Sequence, residues 1–104
     1  MNENERTRLL DAIAAFNRQS EEYFDLYDAD VVLHGYPDGV VGLEAGKGFY
    51  RSVWEQLPEA QIEVQDIEDV APGTLRVRFL YAGEENVTTL RFADGLVVER
   101  WQGS

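Results

Sequence analysis

Residues 91–101 read Arg91-Phe92-Ala93-Asp94-Gly95-Leu96-Val97-Val98-Glu99-Arg100-Trp101. Two runs of β-forming side chains flank Asp94-Gly95, a dipeptide that accepts the left-handed backbone of a tight hairpin turn. The stretch predicts two antiparallel strands, about 87–93 and 96–102. Toward the N-terminus, Gly83-Glu84-Glu85-Asn86 and Ala71-Pro72-Gly73 repeat the turn chemistry at regular spacing. They predict two further strands, about 74–82 and 61–70. Leu75, Val77, Phe79 and Tyr81 alternate with Arg76, Arg78, Leu80 and Ala82, so one face of the 74–82 strand is bulky, apolar and in need of cover.

The cover is found upstream. Leu43, Phe49, Tyr50, Val53, Trp54 and Leu57 recur at helical spacing before Pro58 ends the run, which predicts a helix over 43–57. Gly46 and Gly48 inside it cost about 1 kcal/mol each relative to Ala, pointing to an irregular first turn or to another backbone close by. Val31–Tyr36 is a short run of β-formers that stops at Pro37-Asp38-Gly39. Before it, Leu9, Ile13, Phe16, Ser20, Tyr23 and Tyr27 form one stripe, interrupted by residues that favour caps. Two helices are expected, about 3–18 and 21–27, with Ser20 capping the second and Glu21 and Glu22 in its first turn. Helices first and a meander after give an α+β fold, one domain over 1–104 with its helices on one face of a curved sheet.

Composition narrows the function classes. The 104 residues carry nine Lys and Arg against twenty Asp and Glu, a formal charge of −11, which repels phosphate backbones and anionic lipid surfaces. Neither nucleic acid nor a membrane is an expected partner. No apolar run approaches the ~20 residues of a bilayer span, and Met1–Arg8 is polar where a signal peptide needs its apolar stretch, so a cytoplasmic protein is expected. With no Cys and a single His there is no thiolate nucleophile and no Cys- or His-cluster metal site. The acids Glu63, Asp66, Glu68 and Asp69 lack the tight spacing of a calcium loop. No metal and no cofactor is expected.

Phe16-Asn17 at the end of the first helix, Tyr27-Asp28-Ala29-Asp30-Val31-Val32 leading into a strand, and the 91–101 segment, taken in that order, resemble the SnoaL-like branch of the NTF2-like superfamily. The last segment matches that family's strand pattern "F-x-D-G-K-I-x-E-x-W" except that Leu96 stands where a basic residue is usual. The resemblance spans nearly the whole chain. It implies a cone, a curved sheet wrapped around helices with an apolar pocket at one end, in a homodimer formed through the outer sheet face. It also implies cofactor-free isomerase, cyclase or hydrolase chemistry, or mere binding and assembly. In ketosteroid isomerases, similar in layout, a carboxylate base, an oxyanion-binding Tyr and a protonated Asp fall near His34, Ala12 and Thr88; all three differ here. The catalytic Asp that polyketide cyclases keep beyond the terminal Trp has no counterpart after Trp101. The Asp-Arg-Asp cluster of the epoxide hydrolases has candidate arginines in Arg76, Arg78, Arg91 and Arg100, but no assignable acid pair.

His34 is the remaining acid/base candidate, because an imidazole exchanges protons near neutral pH. Its plainer role is to satisfy a backbone group or pack beside Tyr36. Phe16, Tyr36, Phe49, Trp54, Phe79, Tyr81, Thr88, Leu90 and Trp101 are the expected walls of a cavity for a small apolar ligand, and the aromatic ones could equally fill the cone. Glu99 and Trp101 share one parity on the last strand, and Val98, Arg100 and Gln102 share the other. Pointing inward, Glu99 would be a buried carboxylate with a raised pKa and a catalytic role; pointing outward, a partner for Arg91 or Arg76. Two functions follow from these residues: acid/base chemistry on a small hydrophobic molecule, or a non-catalytic module that binds such a molecule or dimerises, with Val87 and Val97 on an outer face that needs cover.

Overall fold

The structure, a computed structural model, describes residues 3–103; Met1, Asn2 and Ser104, which the single-domain expectation includes, lie outside them. The elements are α1 (Glu3–Asn17), a 3₁₀ helix (Glu21–Leu26), β1 (Tyr27–Tyr36), β2 (Gly39–Val41), α2 (Leu43–Gln56), β3 (Ile62–Ala71), β4 (Thr74–Tyr81), β5 (Glu84–Ala93) and β6 (Leu96–Gln102). The strands form a six-stranded sheet in the order β2-β1-β6-β5-β4-β3. Every neighbouring pair is antiparallel except β1 and β6, which run parallel. This joint brings the N-terminal half of the chain against the end of the meander. The result is an α+β fold, helices on the concave face of a curved, unclosed, mainly antiparallel sheet. Among the described residues no helix is long and apolar enough to cross a membrane.

The meander follows from its turns. Ala82-Gly83 and Asp94-Gly95 have φ of 52° and 79°, and of 52° and 82°, the paired positive values of a type I′ hairpin, whose twist suits the flanking strands. The N-terminal half departs from expectation in two places. Ser20 does cap, its hydroxyl accepting from the Glu22 backbone N–H at 3.1 Å, but the segment it opens is a six-residue 3₁₀ helix and Tyr27 already belongs to β1. The strand therefore begins four residues before the β-rich run at Val31. The chain after Tyr36 also turns back to add β2, whose three residues are too short to leave a periodic signal. Asn17 closes α1 onto β3: its side-chain amide donates to the Ile62 carbonyl at 3.0 Å and accepts from the Ile62 N–H at 2.7 Å.

The core lies between the helices and the inner sheet face. Leu75, Val77 and Phe79 of β4 point into it with Leu90 of β5 and Leu9 and Phe16 of α1, as the alternation along β4 predicts. Irregular pairing sets which residues of β1 and β6 join them, and β1 also shifts register against β6 between Tyr27 and Val32. Opposite β2, the register of β1 slips by one between Leu33 and Tyr36, where Gly35 has φ +84°, so both Leu33 and Tyr36 are buried although three residues apart. A Cβ at Gly35 would stand 2.5 Å from the Gln102 carbonyl oxygen. On β6 the pairing with β5 shifts between Arg91 and Phe92, leaving Val98 as the extra residue. Val97 and Arg100, also three apart, thus both turn inward. A bulge of this kind adds one residue and reverses the alternation beyond it. In α2, Gly46 is where a neighbour comes close, and that neighbour is a side chain rather than a backbone: a Cβ there would meet Leu33 Cδ1 at 2.5 Å.

Candidate functional site

A cavity of about 210 Å³ opens between α1, α2 and the inner sheet face. Most of its wall is apolar, from Leu9, Ile13 and Phe16 of α1, Phe49 and Val53 of α2, and Ile62, Val77, Phe79 and Leu90 of the sheet. One part is polar, made by Arg100, Gln102, Thr88 and Asn86 with the phenols of Tyr23, Tyr36, Tyr50 and Tyr81.

Arg100 anchors the polar end. It is 7% exposed because the Val98 bulge turns it toward the helices. Its Nε donates to Thr88 Oγ1 at 3.0 Å, Nη1 to the phenol oxygens of Tyr23 and Tyr27 at 2.9 and 2.5 Å, and Nη2 to Gln102 Oε1 at 2.8 Å. The guanidinium also lies over the Tyr50 ring, 5.8 Å from its centroid. Thr88 can accept from Arg100 because its own hydroxyl hydrogen goes to the Trp101 carbonyl at 3.1 Å. These hydrogen-bond partners are a threonine hydroxyl, two phenols and an amide, with no carboxylate among them. Burial is the largest single influence on Arg100 and opposes its charge, whereas the negative charge that Tyr27, Tyr50, Tyr36 and Tyr23 carry only when ionised acts the other way, and the net direction is upward. Burial in turn pushes the Tyr23 and Tyr50 phenols well above their ordinary pKa and raises that of Tyr36, despite the opposing pull of Arg100. The Tyr23 and Tyr27 hydroxyls share a hydrogen bond at 2.5 Å, and those of Tyr36 and Tyr50 share another.

His34 and Glu99 lie on the other side of the sheet. His34 Nε2 and Glu99 Oε2 are 2.7 Å apart, Arg91 Nη2 donates to Glu99 Oε1 at 3.1 Å, and the His34 ring stacks on Trp101 with centroids 5.4 Å apart and planes within 5°. The four side chains come together because His34 pairs with Trp101 across β1–β6 and Arg91 with Glu99 across β5–β6. Glu99 points outward, so its carboxyl is lowered rather than raised: the hydrogen bond with His34 dominates and Arg91 adds to it, against a smaller effect of burial.

Of the residues expected to line a cavity, Phe16, Tyr36, Phe49, Phe79, Tyr81, Thr88 and Leu90 do so. Trp101 stacks on the outer face instead, and Trp54 is buried behind the wall against Phe16 and Phe24. Val97, expected on the outer face, is fully buried in the core, which removes it from any surface needing cover. Sequence reasoning missed Arg100 and Gln102 as wall residues. Their shared parity was visible, but not the bulge that decides which parity faces in. Ala12 packs in the buried face of α1. No group of three or more His, Cys, Asp or Glu placed to hold a metal occurs among the described residues.

These features place the chain in a class of cone-shaped α+β proteins, helices on the concave face of a curved sheet. The chain belongs to the SnoaL-like domain family, whose model matches residues 7–100. Among solved structures it is similar to a SnoaL-like protein of unknown function from Burkholderia thailandensis, with a TM-score of 0.87, 15% identity, and coverage of 98% of this chain and 95% of that one. IdmH of Streptomyces antibioticus, a proposed polyketide cyclase, matches with a TM-score of 0.81 and 19% identity over 94% of this chain and 89% of its own. AclR of Streptomyces galilaeus, a proposed hydroxylase, matches with a TM-score of 0.82 and 22% identity over 98% and 75%. At these identities the likeness is one of fold. No curated protein matches the chain in sequence.

Proposed function

We propose that this protein binds one small, largely apolar ring compound in the cavity, oriented by the polar end at Arg100, and acts as a ligand-binding member of the SnoaL-like family. The observation that carries this is the open volume itself, about 210 Å³ walled by aromatic and aliphatic side chains. An apolar cavity of ~150 Å³ accommodates one benzene ring, so this one suits one or two fused rings and is too small for a tetracyclic skeleton. The wall contains no carboxylate and no imidazole among the described residues, the groups that exchange protons near neutral pH. That supports binding over acid/base turnover, and it leaves His34 a role in the sheet.

The test is titration with a neutral two-ring probe, 2-acetylnaphthalene, followed by amide NMR shifts. Saturable binding with shifts centred on Phe16, Phe79 and Leu90 is expected. Ile13→Trp, which fills volume from α1, should weaken binding about tenfold or more. Absence of binding, or binding indifferent to Ile13→Trp, overturns the proposal. We propose, in addition, that a second copy covers the outer sheet face, where Val32 is 37% exposed beside the His34–Trp101 stack. Sedimentation at the monomer mass of 11.8 kDa would contradict it.

A further inference from the structure

The polar end of the cavity is rich in donors and poor in acceptors. A guanidinium has five N–H donors, and Arg100 spends four of them on Thr88, Tyr23, Tyr27 and Gln102. The fifth, on Nη2, has no acceptor among those contacts. Tyr23 and Tyr27 bring two hydroxyl hydrogens to their mutual bond and use one in it; the other is left over. The same count applies to Tyr36 and Tyr50. The Tyr81 hydroxyl, buried and on the wall of the same cavity, has no partner at all. A buried cation and several surplus O–H hydrogens thus stand beside an open volume, and the acceptors that touch the cation are neutral. Burying an unpaired charge is costly, and the cost falls when an anion is supplied.

We infer that the ligand carries one negative charge on oxygen, a carboxylate attached to the ring system, and that this group docks against the Nη2 edge of Arg100 with the surplus phenol hydrogens as further donors. The inference rests on the cavity-binding proposal and names its ligand class: a one- or two-ring aryl carboxylic acid. A single charge is specified because Arg100 is the one cation on the cavity wall among the described residues. A dianion would leave one charge uncompensated inside a chain of net charge −11.

The experiment compares 2-naphthoate with 2-acetylnaphthalene, two probes of almost equal shape that differ in charge, by calorimetric titration of the intact protein at neutral pH. The expected result is tighter binding of the naphthoate by about tenfold or more, the size of a charge-assisted hydrogen bond made in place of a neutral one. Arg100→Met should abolish the preference, bringing the two affinities together. Because that variant removes four hydrogen bonds and endangers folding, Gln102→Glu provides the same test with the shape retained: it supplies an internal carboxylate to Nη2 and should erase the preference, read as the ratio of the two affinities measured in the same variant. Ketone binding without naphthoate preference overturns this inference and leaves the cavity proposal standing; failure of both probes overturns both. An ultraviolet signature of ionised tyrosine in the ligand-free protein at neutral pH would also overturn it, since the counter-ion would then be internal.

Discussion

Arg100 and Tyr23 are 77 positions apart in the chain and 2.9 Å apart at the polar end of the cavity. The contact joins the last strand to the segment between α1 and β1, and it is made by groups that bury poorly alone. Removing the acceptor should therefore be felt in stability. Tyr23→Phe is expected to lower unfolding free energy by about 1–3 kcal/mol, read from the midpoint of chemical denaturation, with an unchanged denaturant slope.

The buried phenols have an alkaline signature. Burial raises Tyr23 and Tyr50 well above, and Tyr36 and Tyr81 above, the ordinary value of 10.0. Such groups contribute stability that is present below pH 10 and lost as pH rises through the folded-state values. Spectrophotometric titration should show most of the five tyrosines ionising late in the folded protein and together near the ordinary value in denaturant. Titration of all five near that value in the native protein would contradict the burial described above.

On the outer face the sign is reversed. Glu99 is held below the ordinary carboxylate range, chiefly by its hydrogen bond with His34, so its contribution is present above that range and lost as pH falls through the folded value. Glu99→Gln should be less stable than the parent at neutral pH and should lose less stability on acidification. His34→Gln should likewise cost stability while leaving affinity for a cavity ligand unchanged, a result opposite to that expected of a catalytic base. Loss of ligand binding in His34→Gln would sink the assignment of that residue to the outer face.

Gly35 and Gly39 separate strain from steric conflict. Both have positive φ, 84° and 89°, but a Cβ at Gly39 meets nothing within 4 Å whereas one at Gly35 meets the Gln102 carbonyl oxygen at 2.5 Å. Gly39→Ala should cost about 1 kcal/mol from backbone strain alone. Gly35→Ala should cost clearly more, because the clash is with backbone of a paired strand that cannot step aside. Equal thermal midpoints for the two variants would refute this.

Much of the fold was legible because its signals are local. Asp94-Gly95 and Pro72-Gly73 fix turns through their own backbone preferences, and the alternation from Leu75 to Tyr81 fixes a face through the pleat. The reach of β1 back to Tyr27 was hidden because Asp28, Ala29 and Asp30 are poor strand formers that fall in a break of the pairing with β6, between Tyr27 and Val32. The site was less legible for a related reason. Phe16, Phe79 and Leu90 could be placed by periodicity, but Arg100 and Glu99 are neighbours on one strand, and the choice of which faces in belongs to a pairing irregularity at Val98. No property of Val98 itself announces it.

The Val98 bulge makes the electrical character of the cavity a matter of register. Were the same strand paired without the bulge, Val97 held in the core would bring Glu99 inward two residues on and turn Arg100 out, so the same residues would line the chamber with an anion in place of a cation. Deleting Val98 would not have that effect: Val97 and Arg100 would then stand two apart on one face, and the cation would stay at the wall. The sign of charge that the interior offers a ligand is thus written in how β6 pairs with β5 and not in which side chains β6 carries.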